Sequence, residues 1–157
     1  MAGFPRYRNA AHAGKVLGFK SGLEELNAAH IKNVLGQPVL YELLKIRYAI
    51  PLSFHTYHPD YELANGIIVE TKGRFLREDR VKHLLVKAQY PDLDIRLVFT
   101  RAKTPISTGA KMTCGEWATK HGFKFAEKLI PEAWANEPGP KRKPREVIAR
   151  GPLGYQE

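Results

Sequence analysis

The chain has 157 residues, enough for one domain with a real core and too few for two. Its 43% hydrophobic content suits a folded domain, no run approaches the ~18 apolar residues of a membrane span, and the basic N-terminus lacks a signal peptide's apolar stretch. With 25 Lys and Arg against 16 Asp and Glu, the net charge of +9 points to nucleic acid, ahead of an anionic membrane or a mere solubility surface.

Cys114 is the only cysteine, which excludes an intrachain disulfide, argues against a thiolate zinc site and suits a reducing cytosol. Residues 1–17 carry Arg6, Arg8, His12 and Lys15 without apolar periodicity and read as a flexible basic arm. Ser21-Gly-Leu-Glu24 fits a capping box, so a helix should open at Ser21, bury Leu23, Leu26, Ala29, His30, Val34 and Leu35, and stop at Gly36 and Pro38. Local sequence then gives Glu24 a structural task, accepting from the Ser21 amide. Alternation from Val39 to Ile50 predicts one long strand closed by Pro51, followed by an aromatic loop over residues 52–58.

The next stretch, Pro59 to Gly73, carries the chemistry. A two-residue Asn65-Gly66 turn would pair Ala64 with Ile67 and turn Asp60 away from Glu70. A three-residue Ala64-Asn65-Gly66 loop, with Gly66 left-handed, would pair Leu63 with Ile67 and set Asp60 opposite Glu70, beside Lys72. The second register is the expectation, with Ile67, Val69 and Thr71 facing the core. Two carboxylates flanking a phosphodiester are the usual holders of hard divalent cations, and a neighbouring ammonium can offset charge at phosphorus. The alternative for Glu70 and Lys72 is a surface ion pair of little weight.

A basic linker with Arg74 and Arg77 leads to a helix over 79–89, with Val81, Leu84, Leu85 and Ala88 as its apolar stripe and Arg80 and Lys82 on other faces. Ile95–Phe99 reads as a central strand, and residues 101–112 as a loop whose Arg101, Lys103 and Lys111 suit phosphate contact. Thr113-Cys-Gly-Glu116 is a second capping box for a short helix ending at His121-Gly122, before a strand at 123–125 and a helical turn at 131–134. The Pro-, Lys- and Arg-rich segment 137–157 reads as a disordered basic tail.

Phe19-Lys-Ser-Gly-Leu-Glu24, Ile50-Pro51, His55-Thr-Tyr57, Pro59-Asp60, Asn65-Gly66-Ile67, Val69-Glu-Thr-Lys-Gly73, Asp79-Arg80, Lys82-His-Leu-Leu85, Leu93-Asp-Ile-Arg96, and Lys120-His-Gly122 through Leu129-Ile-Pro131 form an ordered series. Through it the chain resembles the phage endodeoxyribonuclease I family, Holliday-junction resolvases of the PD-(D/E)xK superfamily. The resemblance implies an α/β, restriction-endonuclease-like core over 18–136, with a central mixed sheet flanked by helices. It also implies a homodimer exchanging the bridging strand 39–50, and Mg²⁺ or Mn²⁺, two ions per site, with branched DNA as partner in the cytoplasm of a phage host. Glu24, Asp60, Glu70 and Lys72 would be catalytic. Asp60, Glu70, the Thr71 carbonyl and Glu24 would bind metal, Glu24 coming from the partner chain. Candidate DNA contacts are Lys20, Arg74, Arg77, Arg80, Lys82, Arg101, Lys103 and Lys111. Glu62 is expected to be a solvated hairpin residue, and His58 carries no assigned role. His55 either reaches phosphate or a metal-bound water, or packs on Tyr57. The alternatives are a non-catalytic DNA-binding protein and a nuclease of the same superfamily with another DNA substrate.

Overall fold

The computed structural model describes residues 18–50 and 53–154; residues 1–17, expected as a basic arm, Pro51, Leu52 and residues 155–157 lie outside them. In chain order the elements are α1 (Gly22–Asn33), β1 (Ile46–Ile50), β2 (Ser53–Tyr57), β3 (Tyr61–Glu62), β4 (Ile68–Lys72), α2 (Arg77–Gln89), β5 (Ile95–Phe99), α3 (Cys114–Lys120), β6 (Phe125–Glu127), α4 (Glu132–Asn136) and α5 (Pro144–Ala149). The main sheet has the order β3-β4-β5-β6, with β3 antiparallel to β4 and the other neighbours parallel. A separate hairpin pairs β1 with β2. The α/β class with a mixed sheet between helices is as expected.

Central strands β4 and β5 are buried on both faces because helices cover both. Ile68 and Leu97 point into a core shared with β1, β2 and Val86 of α2, while Val69 and Val98 point into a core shared with Ala28 and Ile31 of α1. Phe75, Phe99, Trp117 and Phe123 fill the first core with edge-on and stacked rings. Cys114 is a buried structural thiol whose pKa is raised by that burial.

Several local expectations change. Residues 39–50 do not form one long strand. Glu42 takes a left-handed backbone (φ 49°) that breaks the extended run, leaving a bridge between Tyr41 and Tyr61 before β1 begins. Segment 53–57, expected as loop, is a strand registered from Ile50 against Ser53 to Ile46 against Tyr57. The short strand falls at 125–127 rather than 123–125, in parallel register with β5.

Both predicted helical stripes are rotated. Helix α1 buries Glu24, Asn27, Ala28 and Ile31 and exposes Leu26 and Val34. Asn27 bonds Lys128 O and Ile130 N, tying α1 to a segment a hundred residues away. Helix α2 opens at Arg77 and buries His83, Val86 and Gln89, while Val81 is exposed. Gln89 bonds both backbone groups of Ala49, holding the β1–β2 hairpin against α2.

The C-terminal segment is folded rather than disordered through residue 154. Arg96, almost wholly buried, is gripped by Asp94 and Glu137 and stacks on Trp134. The grip of Arg96 pulls Glu137 down to about 2. Beyond it Pro144 and Val147 are buried, and the Leu153 amide donates to Gln89 O. Lys141, Arg142, Lys143, Arg145 and Arg150 remain outward, so the strap is basic outside and apolar inside.

Candidate active site

The three-residue turn is present. Leu63 N donates to Ile67 O at 2.8 Å, Gly66 N to Leu63 O at 2.8 Å, and Gly66 has φ 88°. Tyr61 pairs with Val69 and Glu62 with Ile68, a register that continued outward sets Asp60 across from Glu70. Asp60 itself precedes β3, and the Glu70 charge acts on its carboxylate. It leans to the end of β4, where Oδ2 accepts from Thr71 N and Thr71 Oγ1, both at 2.7 Å.

Glu70 points to the α2 face and is buried. Its Oε2 accepts from Tyr57 OH at 2.7 Å, and its Oε1 lies 2.7 Å from Lys72 Nζ. Lys72 Nζ also meets Asp79 Oδ1 at 3.0 Å, and Asp79 Oδ2 accepts from Leu76 N at the start of α2. Around the same Glu70 oxygen stand Lys82 Nζ at 3.8 Å and His83 Nε2 at 3.9 Å. The Glu70–Lys72 pair is therefore buried, and not the exposed ion pair considered from sequence.

Glu24 enters from α1 of the same chain. Ser21 Oγ accepts from Glu24 N, but the Glu24 carboxylate does not return to the Ser21 amide. Oε2 accepts instead from Lys20 N at 2.7 Å and Tyr41 OH at 2.6 Å, so the helix is capped without it. Tyr61 OH donates to Glu24 O, tying this turn of α1 to β3.

The electrostatics differ between the two carboxylates of the hairpin. Burial, then the nearby Glu70 charge, pushes Asp60 up to about 7 despite the Thr71 bonds. Burial, the largest single influence, would raise Glu70 too, but Lys72, by charge and hydrogen bond, and its neighbours together outweigh it and the net shift is downward. Lys72 is held firmly protonated: burial opposes its charge, and Glu70 and Asp79 overcome that opposition. Burial also lowers His83 to about 4, so its ring is neutral near pH 7.

As metal ligands these residues are hard oxygen donors, which suit Mg²⁺ or Mn²⁺ better than a soft metal. Asp60 favours the fit: its charge is poorly compensated, and Oδ1 accepts no hydrogen bond from the described residues. Among the described residues no three His, Cys, Asp or Glu side chains already converge as a finished cluster.

Beside Lys72 a groove of about 430 Å³ is lined by Arg74, Arg101, Thr104, Ser107 and Thr108. A larger concavity of about 720 Å³ between α3 and β6 shares no residue with the carboxylate site. Arg74, Arg77, Arg101, Lys103 and Lys111 are exposed, as DNA contacts must be. Three candidates are otherwise engaged. Arg80 donates to Phe75 O and Ile106 O at 2.7 Å, stapling α2 to the 101–112 loop. Lys82 lies over the Tyr57 ring beside Glu70, and Lys20 pairs with Glu42. Exposed His55 is bonded to Ser53 at 2.9 Å and faces the ring of Tyr48, not Tyr57; His58 is exposed, and Glu62 is half-buried.

A sequence model of the family described as Phage endonuclease I matches residues 1–151. The chain belongs to the phage endonuclease I family. It is 48% identical over 124 residues to the Endonuclease I of Escherichia phage T7, an alignment covering 79% of this chain and 83% of that one. Endodeoxyribonuclease 1 of Enterobacteria phage T3 is 46% identical over 129 residues, covering 82% and 84%. Within this family member, sequence reasoning passed over Tyr41, Tyr57, Asp79 and His83. For two of them a signal existed: Asp79, Lys82 and His83 at i, i+3 and i+4 share one helix face. The tyrosines gave none, because they meet the carboxylates only through tertiary packing.

Proposed function

We propose that the chain is a divalent-metal-dependent endodeoxyribonuclease that resolves four-way (Holliday) and other branched DNA junctions by phosphodiester hydrolysis. It would do so on a restriction-endonuclease-like core, as a strand-exchanged homodimer in the cytoplasm of a phage host. The observation that supports the reading is the Gly66 turn, whose register sets Asp60 across from Glu70, with the Asp60 carboxylate bonded to Thr71 and Glu70 paired with Lys72. The relatives' names, Endonuclease I and Endodeoxyribonuclease 1, support the reaction class.

Asp60 and Glu70, with Thr71 and Glu24 completing the set, would hold one or two Mg²⁺ or Mn²⁺ ions, which supply charge stabilisation at phosphorus and an activated water. Lys72 contributes a fixed positive charge, kept protonated by Glu70 and Asp79 and placed at the mouth of the Arg74–Arg101 groove. There it can leave Glu70 for a phosphate oxygen as charge builds on it. Arg74, Arg101 and Lys103 align the backbone by phosphate contacts that carry no sequence information.

The deciding experiment compares a four-way junction with a linear duplex of the same arms, at several salt concentrations. Divalent-dependent cleavage of the junction alone is expected, with affinity falling steeply as salt rises. Glu70→Gln and Lys72→Ala should abolish cleavage and leave junction affinity intact. Junction binding without nicking would favour a DNA-binding protein, and equal cutting of both substrates another nuclease specificity; either result overturns the reading.

A further inference from the structure

Among the described residues, His83 alone has buried side-chain polar atoms without a hydrogen-bond partner: the ring is fully buried, and neither Nδ1 nor Nε2 is paired. Such orphaned groups cost stability, because burial strips them of water and returns no partner. A phenylalanine would fill the same space among Tyr57, Phe75 and Phe123 without that cost. The ring is aimed at the site, with Nε2 3.9 Å from Glu70 Oε1, too far for a hydrogen bond. That oxygen is already held by Lys72 at 2.7 Å, while Tyr57 OH anchors the other one at 2.7 Å.

We infer that His83, carrying its proton on Nε2, is the reserve donor for Glu70: a positioning residue that takes Oε1 when Lys72 leaves for the DNA phosphate. The inference rests on the nuclease reading above, in which Lys72 serves the scissile group. Once Lys72 departs, Glu70 Oε1 is a buried anionic oxygen that has lost its hydrogen-bond donor, whether or not it also binds metal. The anchor at Tyr57 keeps the carboxylate from rotating to seek water. Closing the gap to His83 needs about 1 Å of ring movement to reach ordinary hydrogen-bond length. Lys82 competes for the same oxygen, but it is also 3.8 Å from Asp79 and lies over the Tyr57 ring. In the uncomplexed state His83 thus sits idle, which accounts for its unpaired Nε2.

The test uses the full chain with His83→Phe, His83→Gln and Lys82→Met. His83→Phe should melt at or above the wild-type temperature, bind the junction as wild type does, and cleave about 10–100-fold more slowly, with a weakened Mg²⁺ midpoint. His83→Gln, whose amide nitrogen reaches toward the Nε2 position, should recover most of that loss. A histidine kept for packing predicts the reverse pattern, with stability lost and rate kept. Imidazole nitrogen NMR of metal-free protein gives a readout independent of activity and of whether His83→Phe folds. In Lys72→Met the His83 Nε2 proton should become hydrogen-bonded and move downfield relative to wild type. An unchanged ring spectrum overturns the inference, as does wild-type cleavage by His83→Phe or a rate loss confined to Lys82→Met. Those failures leave Glu70→Gln and Lys72→Ala inactive; if those two variants still cut, the underlying nuclease reading fails instead.

Discussion

Asp60 shows at the scale of one residue what the site demands. Its pKa of about 7 against an ordinary 3.8 means that the folded chain binds a proton which the unfolded chain releases across that interval. Stability from this group is therefore present below about pH 4 and is lost as pH climbs to about 7. Asp60→Asn keeps an oxygen for the Thr71 donors and removes the charge. Without divalent ions the variant should gain on wild type as pH rises from about 4 to about 7, by at most ~4 kcal/mol. Added Mg²⁺ should narrow the gap by stabilising the ionised wild type. Denaturant midpoints of both proteins against pH, in chelator and in Mg²⁺, measure this; a pH-independent difference would show that Asp60 is not desolvated. The pairing of Asp60 with Glu70 was legible as one of the two registers that Asn65-Gly66 allows, the one that brings the two carboxylates together. The side chains packed around Glu70 and Lys72, namely Tyr57, Asp79 and His83, were not, since β2, α2 and β4 meet only in the tertiary fold.

Among the elements, the capping boxes differ in how they were used: Thr113 and Glu116 bond reciprocally, whereas only the Ser21 half forms at α1. The stripes of α1 and α2 misled for a common reason. Their inward faces carry Glu24, Asn27, His83 and Gln89, which lie at the candidate site or tie distant backbone, so an apolar count selects the wrong side. The C-terminal strap misled through composition. Its Pro, Lys and Arg content resembles a disordered tail, but its anchors are long-range: Glu137 on Arg96 and Val147 in the core. Gly139 is the strap's narrowest point. It has φ +77°, and an added Cβ would lie 2.2 Å from Asn65 O. Gly139→Ala should release the strap and cost about 1–3 kcal/mol. The readouts are the thermal midpoint and trypsin cleavage within 141–150, where exposed Lys and Arg supply the sites. Wild-type protease resistance in this variant would mean that the strap is docked without that close approach.

For the whole molecule the open question is which chain supplies Glu24. One folded chain already brings its own α1 to β3 and the Asp60 end of the sheet, and a strand-exchanged dimer would keep those contacts while drawing α1 from the partner. Leu43 and Phe54, both more than half exposed beside the connecting segment and hairpin, are apolar surface that a second copy would cover. Two copies would also double the charge of +9 and present two sites to the two-fold symmetry of a four-way junction. Co-expressing Glu24→Gln with Glu70→Gln separates the arrangements. If Glu24 acts in trans, each mixed dimer contains one doubly substituted site and one intact site, so single-strand nicking should return although neither homodimer cuts. If it acts in cis, every site carries one substitution and no nicking appears. A sedimentation measurement showing dimer at micromolar concentration, alongside absent nicking in the mixed species, would retain the dimer and reject the exchange.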